Sequence, residues 1–368
     1  MRRRLVAVAA MATVAVLAGC SGGGSPEPSS GRDYGQVRAG EVQPGVLDGV
    51  ELVYAGTGGD FQDGQVEAYW GPFAEESGAE MVQDALDPAK LKASVEAGDP
   101  VFDLAAAGQS EVVRLCESMY QPIDWDLVDT SDVVPEFLVS ECGVPNILYG
   151  TVVAYNLDAL GGKAPTSVAD FFDTERFPGK RGVAMTPWFD NSILEMALLA
   201  DGADLENLTD ADVERAIDLF KGLGDDLVPW TSGVQSQQQL ESGEVAMSIV
   251  WSGRGYSAAA AGAPVSALWD DWVVMVDYIG VPKDVADPEA AFAALNFMLG
   301  PEQQAQQLVH TTYSPVIQNP AEVEVDGVLG EWVVNDKLES GSISNYEFWA
   351  ENWDSFTTQW ADWVSGVN

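Results

Sequence analysis

The chain has 368 residues, 46% of them hydrophobic, which suits two domains of roughly 100–200 residues each and is too much for one small core. Asp and Glu number 58 against 17 Lys and Arg, for a formal net charge of −41. A field of that sign repels nucleic acid and anionic membrane surfaces, and it fits either a high-salt habitat or a general acidic bias of secreted proteins.

The first element is "MRRRLVAVAAMATVAVLAGCS": a basic start, an apolar run from Leu5 to Leu17, then Leu17-Ala18-Gly19-Cys20. The run is shorter than the roughly 20 residues that a spanning helix needs, so residues 1–19 read as a signal segment. "LAGC" is similar to the bacterial lipobox, which implies a lipid on the Cys20 thiol; an ordinary secretory signal cut nearby is the alternative. Residues 20–48 begin "CSGGGSPEPSSG", a Gly/Ser/Pro tether with too little apolar content to fold. With Cys20 lipidated, Cys116 and Cys142 remain, and a disulfide between them is expected in an oxidising compartment.

From residue 49 strands and helices alternate. "GVELVYAG" predicts a strand, "TGGDFQDGQ" a turn, and "VEAYWGPFAEESG" a helix closed by Gly78. "ALDPAKLKASVEAGDP" predicts a helix, "VFDLAAAG" a strand, and "SEVVRLCESM" a helix with Ser110 as its N-cap. A long strand is expected in "NILYGTVVAYN", then a helical start after Ser167, a strand in "KRGVAMT", and helices in "SILEMALLADG" and "DADVERAIDLFKGLG". "EVAMSIVWSG" and "VVMVDYIGVP" predict strands, and "DPEAAFAALNFML" and "PEQQAQQLVHTT" helices. Such alternation signals an α/β fold with a largely parallel sheet. Trp349, Trp353, Phe356, Trp360 and Trp363 share one face of a C-terminal helix, expected to dock on the body because its other face is acidic.

The chemistry of common hydrolases and cofactor enzymes is missing. His310 is the single histidine, with no nucleophile motif near it, and the chain has no HExxH, CxxC or Gly-rich phosphate loop. No cofactor or metal is expected. A carboxylate-pair hydrolase stays open, because so many acids always offer pairs. Asp277, in the apolar run "VVMVDYIGVP", raises the sharper question, since a buried carboxylate without a partner is costly.

Several ordered stretches between about residue 50 and about residue 320 carry a resemblance: "GGDFQDGQVEAYWGPFAEESG", "SECGVPNILYGTVVAYN", "SVADFFDTERFPGKRGVAM", "LESGEVAMSIVWSGRGY" and "VDYIGVPKDVADPEAAFAALNFMLGPEQQA". Together they resemble the extracellular solute-binding proteins of ABC importers, in the group of the spermidine/putrescine binders. The resemblance implies a two-lobe periplasmic-binding-protein-like (type II) α/β fold joined by two crossing strands, with lobe 1 at 49–152, lobe 2 at 153–276, and 277–368 returning to lobe 1 and ending in the docking helix. It implies no enzyme but a monomeric, membrane-anchored receptor that hands a small-molecule ligand to a permease.

Residue by residue, Asp277 matches the acid that pairs with a ligand amine, Trp251 an aromatic on the ligand's methylene chain, and Tyr313 a late aromatic of the cleft. Tyr149 lies on the first crossing strand. Phe189 and Ser192 stand where the polyamine binders carry further acids, with Asp190 as a substitute. Asp277 and Tyr278, with Trp251, Tyr313, Trp188, Trp230 and Asp60, would box a cation by charge-assisted hydrogen bonds and aromatic faces. Arg254 would hold a ligand carboxylate or neutralise Asp277. The expectation is therefore a receptor for a small cationic or zwitterionic amine, the other readings being a sugar, a thiamine-like compound or a metal ion.

Overall fold

The computed structural model describes residues 31–186, 189–325 and 327–367. Residues 1–19, expected to be a signal segment, and Cys20 and Trp188 lie outside the described residues. Ten strands are formed: β1 (Glu51–Gly56), β2 (Glu80–Ala85), β3 (Leu104–Gly108), β4 (Val144–Asn156), β5 (Arg181–Ala184), β6 (Leu227–Trp230), β7 (Met247–Trp251), β8 (Val265–Ala267), β9 (Trp272–Gly280) and β10 (Gly341–Ile343). The α-helices are α1 (Gly59–Gln65), α2 (Gly71–Ser77), α3 (Pro88–Glu96), α4 (Gln109–Arg114), α5 (Asn191–Ala200), α6 (Asp210–Gly222), α7 (Gly233–Ser242), α8 (Ser252–Ala260), α9 (Pro288–Met298), α10 (Pro301–Thr311), α11 (Gly327–Trp332), α12 (Tyr346–Glu351) and α13 (Trp353–Val367).

Local chemistry sets most boundaries. Asp87 caps α3 by accepting from the Ala89 and Lys90 amides, and Asp287 caps α9 by accepting from the Ala290 amide. Gly78 ends α2 in the left-handed conformation, φ 79°. Two expectations change. In "TGGDFQDGQ" only Gly58 and Gly59 take the turn, at φ 76° and 64°, and α1 begins at once. Ser110 is not the cap of α4: the Glu111 carboxylate accepts from the Gly108 amide at 3.0 Å, and the helix starts one residue before Ser110. The Cys116–Cys142 disulfide is formed, with a Cα–Cα distance of 5.3 Å; by the loop-closure argument its 26-residue separation contributes about 3 kcal/mol.

The strands make one hydrogen-bonded path, β2-β1-β3-β9-β4-β7-β5-β6, with β10 added on β9 and β8 on β4. The first half is β2, β1 and β3, parallel to one another; the second is β7, β5 and β6, again parallel. Antiparallel β4 and β9 run from one half to the other. β9 pairs with β3 over Asp277–Gly280, while β4 pairs with β7 over Thr151–Tyr155, so Leu148–Gly150 and Val274–Val276 lie between the two ladders. Both strands are almost wholly buried there, as their near-continuous apolar sequence requires.

The C-terminal helix docks, as its aromatic stripe implies. The stripe is divided between α12, which carries Trp349, and α13; Trp349, Phe356, Trp360 and Trp363 are buried and Trp353 partly so. The seat is the second half. Phe189 meets the rings of Trp349, Trp353 and Trp360 at 5.2–5.8 Å, and Phe220 of α6 stacks on Trp363 at 5.4 Å. Residues 277–368 therefore do not all stay with the first half. After α10 the chain passes back, α11 packs on α8, α13 lies on the second half, and α12 sits between α4 of the first half and Glu195 and Phe189 of the second.

Candidate functional site

Strand alternation puts Ile147 and Tyr149 of β4 on the same face as Met275 and Asp277 of β9, since Ile147 pairs with Asp277 and Tyr149 with Met275. Tyr149 then reaches diagonally across the ladder, and its phenol donates to Asp277 Oδ1 at 3.2 Å. Burial pushes the Asp277 carboxyl up to about 7, with Asp190 and Glu111 adding in the same direction and the Tyr149 hydrogen bond opposing. Among the described residues Asp277 makes no ion pair, with Arg254 or any other cation. Its side chain remains partly accessible to solvent.

An aromatic wall continues from Tyr149. Tyr149 meets Tyr313 at 5.6 Å and Tyr313 meets Phe61 of α1 at 5.3 Å, both edge-on. Tyr313 also lies against the start of α8, where a Cβ on Gly253 would stand 2.8 Å from its ring; only glycine fits. Burial raises the Tyr313 phenol, Arg254 pulls it down and Asp277 pushes it up, so the ring stands within the fields of both the cation and the anion. The Arg254 guanidinium passes against Gly233 at the start of α7 and makes no ion pair among the described residues, and its Nε is buried without a partner.

The third wall is on the second half. Trp251 Nε1 donates to Asp190 Oδ2 at 3.0 Å, while Asp190 Oδ1 accepts from the Ser192 hydroxyl at 2.6 Å and the Ser192 amide at 3.1 Å. Thr151 of β4 donates on to the Ser192 hydroxyl at 2.8 Å. Burial raises the Asp190 carboxyl. Asp190 fixes the indole of Trp251 and already accepts from three protein donors, against one for Asp277 among the described residues. Trp251 is partly exposed and backed by the fully buried Trp230, edge-on at 5.3 Å.

Of the residues singled out in the sequence, Asp277, Tyr149, Tyr313, Trp251, Arg254 and Asp190 converge between the two halves. Tyr278 and Trp230 do not face this space. Tyr278 points to the opposite face of β9, is fully buried, and donates to the Phe137 carbonyl at 2.8 Å; Trp230 is the buried support just described. Asp60 is exposed at the start of α1. Phe61 and Glu111 were not singled out. Only the position of "GGDF" directly after a strand could have pointed to Phe61.

The site is a set of half-buried residues between two α/β halves: the aromatic rings of Tyr149, Tyr313 and Trp251, a carboxyl on the crossing strand, and the guanidinium of Arg254, whose field reaches Tyr313. It holds no metal-binding cluster of His, Cys, Asp and Glu among the described residues. The sequence profile of the family described as bacterial extracellular solute-binding protein matches residues 72–336. The chain belongs to that family. As a solute-binding protein it is the substrate-binding component of an ABC transporter, a receptor and not an enzyme class. Its relatives include the gamma-aminobutyric acid-binding protein of Pseudomonas aeruginosa, 29% identical over 320 residues and covering 84% of this chain and 89% of the relative. The spermidine/putrescine-binding periplasmic protein of Escherichia coli is 25% identical over 294 residues, 75% of this chain and 81% of the relative. Among solved structures a GABA receptor superposes with a TM-score of 0.79 at 29% identity, covering 85% of this solute-binding protein and 97% of that chain. The two-lobe architecture expected from the sequence is thereby found.

Proposed function

We propose that this solute-binding protein captures a small amine whose ammonium is held by Asp277 and Tyr149 between the aromatic faces of Tyr313 and Trp251. The observation that carries the reading is the state of Asp277: a carboxyl enclosed on a crossing strand, with one protein donor and no protein cation. A ligand ammonium supplies the missing charge-assisted hydrogen bonds and aromatic contacts. Arg254 favours a zwitterion over a diamine. Its guanidinium has no acid of its own among the described residues, and Tyr313 lies within the fields of both Arg254 and Asp277, which suits the two charged ends of an ω-amino acid such as γ-aminobutyrate. That the similar proteins include a gamma-aminobutyric acid binder and a spermidine/putrescine binder supports an amine and leaves the second end of the ligand to Arg254.

We read β4 and β9 as the crossings between lobe 1 and lobe 2, with the segment after α10 joined to lobe 2. The mature protein is tethered outside the membrane by a lipid on Cys20 and delivers its ligand to the permease. Thermal-shift screening of γ-aminobutyrate, putrescine, spermidine, amino acids, sugars and metal ions tests the ligand class. A ligand present at 100 times its Kd adds roughly 2.7 kcal/mol. A set in which only sugars or metal ions stabilise would remove the amine reading. Metabolic labelling with a radioactive fatty acid tests the anchor, and incorporation is lost in Cys20→Ala.

A further inference from the structure

β3 and β10 lie on the same edge of β9, β3 opposite Asp277–Gly280 and β10 opposite Trp272–Val274. β3 is antiparallel to β9 and β10 is parallel, so the two run toward each other and their C-terminal ends face across Met275 and Val276. Each leads directly into a helix, β3 into α4 and β10 into α12, and those helices pack on one another. This contact joins the two halves beside the crossing strands.

The two sides of the contact are attached very differently. The C-terminal side is fixed to the second half by a buried fan of bonds. Glu195 Oε1 of α5 accepts from the Ser344 hydroxyl at 3.1 Å, the Asn345 amide at 2.9 Å and Trp349 Nε1 at 2.7 Å, and Asn345 Nδ2 donates to the Leu205 carbonyl at 2.7 Å. Toward the first half two polar or cationic contacts are formed among the described residues. The Ser110 hydroxyl donates to the Tyr346 carbonyl at 3.5 Å, and the Arg114 guanidinium lies over the Trp353 ring at 5.0 Å. Arg114 makes no ion pair among the described residues, and its Nε is buried without a partner.

We propose that Arg114 and Trp353 form a releasable clasp between the lobes: a positioning pair, outside the ligand site, that sets how often the lobes part. A contact of this kind is strong enough to bias a two-state equilibrium and weak enough to open. One face of the clasp is carried by α4, which follows the strand opposite Asp277, and the other by the segment locked to Glu195, so lobe separation has to break or shear it.

The test needs no ligand, so it stands apart from the amine reading. Spin labels on Glu75→Cys of α2 and Glu214→Cys of α6, both exposed, report the interlobe distance by pulsed dipolar spectroscopy. Cys20→Ala leaves the rest of the full chain and its disulfide as they are. In the ligand-free protein Arg114→Gln and Arg114→Ala should raise the minor-distance population about two- to fivefold. Trp353→Phe should act in the same direction, and the double variant should go no further than Arg114→Ala alone. Distributions that superimpose on the parent for both Arg114 variants would overturn the clasp. So would Arg114 and Trp353 effects that simply add, because the two residues would then not act through each other.

Discussion

Asp277 and Glu195 are both carboxyls enclosed by the protein, both pushed up to about 7 by burial, and neither is paired with a cation among the described residues. Their surroundings part them. Glu195 is completely buried and accepts from Asn191, Ser344, Asn345 and Trp349, so its oxygens are filled by the protein itself. Asp277 accepts from Tyr149 alone among the described residues and keeps some solvent access. A raised carboxyl therefore marks enclosure; the count of donors around it separates a fastening from a binding site.

The largest expected effect breaks the fastening. Glu195→Ala removes the acceptor of the buried Trp349 indole and Ser344 hydroxyl and of the half-buried Asn345 amide, and should cost about 3 kcal/mol or more of unfolding free energy, read by urea denaturation. Stability unchanged within error would mean that the segment is not held there. Asp277→Asn should do the opposite. Its stability near neutral pH should hold or rise, since a carboxyl that is costly to ionise is gone, while γ-aminobutyrate or putrescine affinity in calorimetry falls about 10- to 100-fold. If both variants changed stability alike, the contrast between the two acids would fail.

pH sharpens the same contrast. The folded protein holds the Asp277 and Glu195 protons more tightly than the unfolded chain, so their contribution to stability is present at acid pH and is lost as pH rises from the ordinary carboxylate range through about 7. Glu195→Gln should flatten that slope without altering binding. A cationic ligand needs Asp277 ionised, so affinity should fall up to about tenfold per pH unit below 7 and binding should release a proton, measurable by calorimetry in buffers of different ionisation enthalpy. A Kd independent of pH between about pH 5 and pH 8 would detach Asp277 from the ligand. The smallest effect is expected for Tyr149→Phe, a two- to tenfold loss of affinity (about 0.5–1.5 kcal/mol) from one missing donor.

Much of the scaffold was legible because its signals are local. The apolar runs of β4 and β9, the Asp87 and Asp287 caps, and the stop at Gly78 need only neighbours in sequence. The site was half legible. Asp277 stands out because a carboxylate interrupts an apolar strand, but aromatics carry no such mark: Trp251 faces the cleft and Trp230 sits behind it, and only the fold tells them apart. Tyr278 follows Asp277, and strand alternation alone sends it to the other face. Asp190 looked like a ligand acid and is consumed by Trp251 and Ser192, partners 61 and 2 residues away. β2 was not foreseen, since Glu80–Ala85 is a largely solvated edge strand without an apolar run.

The chain passes between the halves along β4, along β9 and once more after α10. Three passages are an odd number, so β1 and α13 belong to different halves. If Cys20 ties the N-terminal side to the membrane, lobe 1 is the tethered part and the far end of α13 travels with the other lobe. A fluorophore placed after α13 would then move relative to one placed near β1 whenever the receptor closes, so the two ends of the chain report solute capture as a change in their separation.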